Sequence, residues 1–189
     1  MRALLGQQVQ ADLDKILIDR ERIAARVAEL ASRISRDLDE LPAEGEIVLV
    51  SILTGSIIFV ADLIRQLPQK LRIEMVNVNS FPDKATRSQG ASLIGPPAID
   101  VAGKHVLIVD DILDSGGTLT LIRKELHERN ARSVRACVLL RKQRPSAMET
   151  PCEYVGFDIP DVFVVGYGLD YNNYYRNLPD IGTLRPEAM

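Results

Sequence analysis

Val106-Leu107-Ile108-Val109-Asp110-Asp111-Ile112-Leu113-Asp114-Ser115-Gly116-Gly117-Thr118 is the stretch whose reading decides the fold. Four consecutive aliphatics, Val106 to Val109, read as a strand buried on both faces, as in a parallel sheet covered by helices. The strand runs through a Ser-Gly-Gly-Thr turn into a helix reaching about Arg129. Such a turn aims backbone N–H groups and the positive end of a helix at the carboxyl edge of the sheet, where ligands bind in open α/β folds. By itself, the turn is an ordinary strand-to-helix connection. The acids Asp110, Asp111 and Asp114 change its meaning. Three carboxylates beside an anion cradle repel one another in a partly dry cleft. The arrangement makes sense if the ligand offers hydroxyl donors, or if a divalent cation stands between. A ribose phosphate with magnesium satisfies both. There is no Gly-x-x-x-x-Gly-Lys-Ser/Thr, which sets aside a nucleoside-triphosphatase P-loop.

Upstream, Ile47 to Leu53 is a second apolar strand, and Thr54-Gly55-Ser56 opens an apolar helix from Ile57 to Leu67 that Pro68 ends. The same logic therefore recurs, and two anion cradles on one sheet edge suit a ligand with two phosphate groups. Before that strand, Ile23, Val27, Leu30, Ile34, Leu38 and Leu41 paint one face of a helix, with Asp19 as N-cap and Pro42 as stop. Further strands are expected around Ile73 to Asn79, Val134 to Leu140 and Val162 to Val165. The polar stretch from Ser80 to Gly90 has no helical stripe and reads as a lid loop, with Gly95-Pro96-Pro97 a turn beyond it. Strands alternating with helices make an α/β fold with a parallel sheet. Near the C-terminus, Asp170 and Arg176 flank Tyr171, Tyr174 and Tyr175, and Phe163-Val164-Val165 offers a flat apolar face for a planar base.

The 189 residues fit a single domain over 1–189. Hydrophobic residues at 46% permit a real core, and a net charge of −3 argues against a dedicated nucleic-acid binder. Cys137 and Cys152 lack disulfide-framework or metal-ligand spacing, and His105 and His127 lack metal partners at helical or hairpin spacing. The N-terminus lacks the apolar core of a signal peptide, and no apolar run is long enough to cross a membrane. The expectation is a soluble protein in a reducing cytoplasm.

The Val106–Thr118 segment resembles the phosphoribosyl-pyrophosphate (PRPP) signature of type I phosphoribosyltransferases. Phe157-Asp158-Ile159-Pro160-Asp161-Val162-Phe163-Val164-Val165-Gly166-Tyr167-Gly168-Leu169-Asp170-Tyr171-Asn172 is similar to the C-terminal signature of the hypoxanthine-guanine branch. Asp14 to Ile18 and Ala61 to Arg65 fit bacterial members, so the likeness runs from about Leu13 to Leu178. The resemblance implies a mainly parallel central sheet flanked by helices, a small hood formed by the N-terminal and C-terminal segments, and a mobile lid at about 80–92. It implies purine salvage: transfer of the phosphoribosyl group from PRPP to hypoxanthine or guanine, with Mg2+, in a homodimer or homotetramer. Asp110 and Asp111 would hold the ribose hydroxyls, directly or through magnesium. Asp114 would be the acid–base group at the purine. Ser115, Gly116, Gly117 and Thr118 would cradle the 5′-phosphate, and Thr54, Gly55 and Arg176 the pyrophosphate. Lys142 would donate to the 6-oxo group and Phe163 would stack on the base. The main chain at Val164 and Asp170 would read the exocyclic position, and the Asp170 carboxylate would reach a magnesium. A cis peptide is expected at Leu53–Thr54.

The chain departs from that pattern at four places: Thr54, where lysine is usual; Asp110, where glutamate is usual; Phe81, where tyrosine opens the lid; and Gly117, where a longer side chain is typical. The competing reading is a nucleotide-sensing RNA-binding relative. Arg132, Arg135, Arg141, Lys142 and Arg144 would be its basic stretch.

Overall fold

The structure, a computed structural model, describes residues 11–42, 45–78, 93–94 and 99–189. The expected lid at 80–92, with Phe81, and the Gly95-Pro96-Pro97 turn lie outside the described residues. The elements run β1 (Leu13–Ile18), α1 (Arg20–Asp39), β2 (Ile47–Leu53), α2 (Ile57–Ile64), β3 (Leu71–Val78), β4 (Leu93–Ile94), β5 (His105–Leu113), α3 (Gly117–Glu128), β6 (Ser133–Lys142), α4 (Pro145–Glu149), β7 (Tyr154–Ile159) and β8 (Ile181–Leu184). Six strands form one sheet in the order β4-β3-β2-β5-β6-β7. The run from β3 to β7 is parallel throughout, and β4 adds an antiparallel edge. The N- and C-terminal segments meet in a second sheet, β1 against β8, antiparallel.

The near-continuous apolar runs of the central strands are divided by the two-residue strand period. Leu49, Leu107 and Val109 pack into a core with α1 and α2, through Ile23, Val27, Leu30, Ile34, Phe59 and Leu63. Val48, Val50, Val106 and Ile108 pack on the other face, with Leu119, Ile122 and Leu126 of α3. Each such side chain contributes roughly 1.5–3 kcal/mol by leaving water. The expected cap is present, since the Asp19 carboxylate accepts from Arg22 N at 2.8 Å.

Two sequence expectations change. The acids Asp110 and Asp111 lie within β5, which continues to Leu113 by pairing Asp110 with Val138 and Leu113 with Arg141 of β6. Val162 to Val165 is no strand; it keeps one bridge, Val165 to Gly182. The fifth parallel strand is β7. Its mixed polarity follows from its place at the sheet edge, where one side of the ladder is open. Gly156 is required there, because a Cβ would sit 2.3 Å from Leu139 O.

His105 stands at the opposite end of β5 from the acids. Its Nδ1 lies 2.6 Å from Ser133 Oγ, while its Nε2 is buried without a hydrogen-bond partner. Burial, aided by the charges of Arg132 and Arg135, holds its pKa below 6.5. The unfolded chain therefore takes up the proton more readily. This contribution to stability is full above the unfolded value and is lost as pH falls through it toward the lower folded value. The melting temperature should fall between about pH 7 and pH 5.5, and His105→Gln should flatten that fall. Equal slopes in the two proteins would show that His105 is not the group.

Candidate active site

The carboxyl ends of β2 and β5 lie side by side, so their two turns share one edge. β2 ends in a cis peptide at Leu53–Thr54, as expected from the resemblance. Ser56, the residue before α2, does not cap the helix with its side chain. Its hydroxyl donates back to Ile52 O, and Ser51 Oγ lies 2.8 Å away, both serines fully buried. With the Ser56 proton committed to Ile52, Ser51 must be the donor between the two hydroxyls. The turn Leu53-Thr54-Gly55 is thus closed from beneath by side chains. A Cβ on Gly55 would lie 1.7 Å from Asp111 Oδ2. Gly168, at φ 103°, presses on the same turn from above, where a Cβ would meet Gly55 O at 2.1 Å.

Asp110 is buried at 8% exposure, and its Oδ1 accepts from Asp111 N at 3.0 Å. Asp111 Oδ1 accepts from Ile112 N at 2.9 Å. Burial raises the pKa of both carboxyls, and the negative charge of Asp111 raises Asp110 further. The hydrogen bond shared with Asp110, the backbone N–H of Ile112 and, least, the charge of Arg176 pull Asp111 back down, but less than burial raises it. The pair is therefore an under-compensated negative site, suited to hydroxyl donors or a divalent cation.

At the next turn, Gly116 adopts φ 85° and is the N-cap of α3, with no side-chain cap. A Cβ there would meet Thr150 Oγ1 at 2.0 Å. A cleft of about 350 Å³ opens between the two turns, and Gly55, Asp110, Asp111, Asp114, Ser115, Gly116 and Thr118 all line it. Gly117 begins α3 behind that wall, with nothing nearer its missing Cβ than Ser115 Oγ at 3.8 Å.

Lys142, at the end of β6, joins the cleft through Asp114. Its Nζ lies 3.2 Å from Asp114 Oδ2 and 3.3 Å from Asp161 Oδ1. Arg144 Nη1 lies 2.8 Å from Asp114 Oδ1, and Arg144 Nη2 lies 2.5 Å from Asp161 Oδ2. Arg144 above all, then Lys142, holds the Asp161 carboxyl below the usual carboxylate range. Phe163 is half exposed and perpendicular to Tyr171 at 5.7 Å, while Val164 is buried. Asp170 stands apart from the acid pair: it faces Arg176 Nη2 at 2.8 Å and accepts from Asn173 N at 2.7 Å. Arg176 also donates to Gly168 O at 2.7 Å, which links it to the Gly55 turn. Among the described residues, no three acids, histidines or cysteines gather as a ready-made metal cage.

Residues 15–172 match the family model of the phosphoribosyl transferase domain. The chain is 43% identical over 181 residues to the hypoxanthine-guanine phosphoribosyltransferase of Mycobacterium bovis, covering 94% of this chain and 89% of that one. The chain belongs to the hypoxanthine-guanine phosphoribosyltransferase family. A second member of the family, the hypoxanthine phosphoribosyltransferase of Escherichia coli K12, is 38% identical over 168 residues, 89% of this chain and 93% of that one. The solved hypoxanthine phosphoribosyltransferase of Staphylococcus aureus superposes with a TM-score of 0.85 at 37% identity, covering 95% of each chain. A Trypanosoma cruzi phosphoribosyltransferase variant solved with its product IMP gives 0.83 at 37% identity, covering 93% and 92%.

Four parts of this phosphoribosyltransferase site are not marked as such in the sequence: Arg144, Asp161, the Ser51–Ser56 pair and Gly168. Arg144 is visible there only as one of several basic residues, and Asp161 and Gly168 only inside the C-terminal signature. Ser51 carries no motif, and Ser56 is visible only as the last residue of the Thr54-Gly55-Ser56 turn.

Proposed function

We propose that this phosphoribosyltransferase transfers the 5-phosphoribosyl group of PRPP to hypoxanthine, and to guanine, releasing pyrophosphate and IMP or GMP. The observation that carries the reading is the Asp110–Asp111 pair, Asp110 buried and Asp111 partly so, set between two glycine turns, with Lys142 and Asp114 at its rim. The under-compensated acids fit the ribose hydroxyls and Mg2+. Because no complete cage exists among the described residues, Asp110, Asp111 and Asp170 would each meet a cation only with ligand oxygens completing its shell. Magnesium bound with PRPP supplies positive charge for the departing pyrophosphate. Thr54, Gly55 and Arg176 hold that group by the β2 turn. Ser115, Gly116, Gly117 and Thr118 hold the 5′-phosphate at the start of α3. The base nitrogen forms its bond to the ribose carbon as the carbon–oxygen bond to pyrophosphate breaks, and Asp114 takes the proton from the purine's imidazole ring. Lys142 donates to the 6-oxo oxygen, Phe163 stacks on the base, and the main chain at Val164 and Asp170 reads its exocyclic edge.

The basic stretch of β6 supports this reading over RNA binding. Arg135 lies 3.9 Å from Asp37, Arg141 2.7 Å from Asp158, and Lys142 and Arg144 face two aspartates. Those charges are compensated within the chain rather than presented to phosphates. The exposed Ile57, Ile58, Ile73 and Met75 support a homodimer or homotetramer. Among the described residues no helix is long and apolar enough to cross a membrane, and both cysteines are free. The free thiols support a reducing, cytoplasmic setting for the enzyme.

A free-base screen with PRPP and magnesium tests the reading. Hypoxanthine and guanine should turn over, and adenine should be a poor substrate, since its 6-amino group meets Lys142 donor to donor. Excess chelator should abolish turnover and added magnesium restore it. Lys142→Ala should raise the KM for the base more than that for PRPP. Equal use of adenine and hypoxanthine, or full rate in chelator, would overturn it.

A further inference from the structure

We infer that Arg144 is a positioning residue that frees Lys142 to engage the 6-oxopurine, an inference that rests on the reading of the site given above. Lys142, Asp114, Arg144 and Asp161 form a closed ring of alternating charge. Its four sides measure 3.2, 2.8, 2.5 and 3.3 Å. Each cation touches both acids, and the ring is neutral as a whole. Two members have chemical tasks; the other two, Arg144 and Asp161, have none in the reaction itself.

The backbone explains how the ring arises. β6 ends at Lys142, but Gln143 N still donates to Ile159 O of β7 at 2.8 Å, and Arg144 keeps an extended conformation at φ −126° and ψ 149°. A tight turn at Gln143, in which Arg144 N donates to Lys142 O at 2.9 Å, then folds Arg144 back beside Lys142. Pro160 and its neighbour Asp161 follow directly on β7, the strand paired with β6, which brings the second acid to the same edge.

Lys142 is buried at 9% exposure and lies between two carboxylates in the resting site. To donate to a 6-oxo oxygen it must loosen its hold on at least one of them. The difficulty of that move is set by the negative charge it leaves behind. Arg144 already spans both acids: its Nε and Nη2 donate to Asp161 Oδ2, and its Nη1 lies 2.8 Å from Asp114 Oδ1 as an ion pair without hydrogen-bond geometry. It keeps Asp114 and Asp161 compensated while Lys142 turns to the base. Without Arg144, one ammonium faces two carboxylates and is drawn back from the purine. The guanidinium is a third exposed, so as a plain surface ion pair it would matter little for stability.

Arg144→Ala should raise the KM for hypoxanthine by about tenfold and weaken IMP binding by a similar factor in calorimetry. The KM for PRPP and the melting temperature should stay at wild-type values. Arg144→Lys should fall between the two. The deciding variant is Arg144→Ala combined with Asp161→Asn, which makes the ring neutral again and should recover most of the lost base affinity. A residue that merely packed would give a double variant no better than the single. An Arg144→Ala enzyme with wild-type KM for hypoxanthine, or a double variant without recovery, overturns the inference alone. A wild-type protein that does not transfer to hypoxanthine overturns the reading of the site and this inference with it.

Discussion

Asp114→Asn should lower kcat for hypoxanthine by roughly a hundred- to ten-thousand-fold, the range for losing a positioned acid–base group. Asparagine keeps the shape and loses the proton acceptor. The KM for PRPP should stay near wild type, because Ser115 to Thr118 are untouched. A rival role for Asp114 is capping the following helix. The structure removes that role, since the cap of α3 is Gly116 at φ 85° and no side chain caps it. The variant should therefore melt near the wild-type temperature, not lower by the roughly 1 kcal/mol that a lost cap costs. The base KM should change as well, because losing the Asp114 charge would leave Lys142 and Arg144 with one carboxylate, that of Asp161, in place of two. Normal turnover with a lowered melting temperature would refute the acid–base assignment.

Gly55→Ala should raise the KM for PRPP by about a hundredfold, the equivalent of one lost hydrogen bond to a charged group. The new methyl would lie 1.7 Å from Asp111 Oδ2 and 2.5 Å from its Cγ. The turn cannot retreat, because Gly168 already lies against Gly55 O and the buried serines close it from below. The Asp111 carboxylate must rotate instead, breaking its bond from Ile112 N and leaving the position from which it would meet the ribose. Overpacking of this kind costs about 1–3 kcal/mol of stability. Gly117→Ala is the steric control for melting temperature, since its Cβ would meet nothing nearer than Ser115 Oγ at an ordinary contact distance of 3.8 Å. A Gly55→Ala enzyme with unchanged KM for PRPP would show that Asp111 does not hold the ribose.

The parts of the fold that proved legible were those governed by local rules. Asp19 capped the helix it was expected to cap, and the apolar runs at Ile47 and Val106 became the two central strands. β7 was not legible because an edge strand needs only one apolar side, and Val162 to Val165 misled because an apolar run also occurs in a loop, here one that buries Val164 and Val165 and exposes Val162 and Phe163. The acids were found as a motif, and their burial within β5 depends on pairing with β6, which no local pattern reports. The charge ring was illegible for a related reason. Its members span 114 to 161, and only the neighbouring ladders of β5 with β6 and β6 with β7 bring them together.

The pairing of β1 with β8 has a consequence for how the protein is made. Leu13 and Leu184 are partners, so the first described strand leaves the ribosome long before its mate exists. At roughly 5–20 residues per second, β1 waits about ten to thirty seconds. The six strands of the main sheet are complete once Ile159 has emerged, and α1 can dock on them without help from β1. The nascent chain thus passes through a stage with a formed main sheet, a core still lacking Val164, Tyr167, Leu169 and Ile181, and an unpaired strand edge, the kind of edge that invites pairing with a neighbouring chain. Release of the last residues ends that exposure. A released chain truncated before Ile181 should collect in aggregates through its unpaired β1 edge, whereas one that includes Leu184 should not.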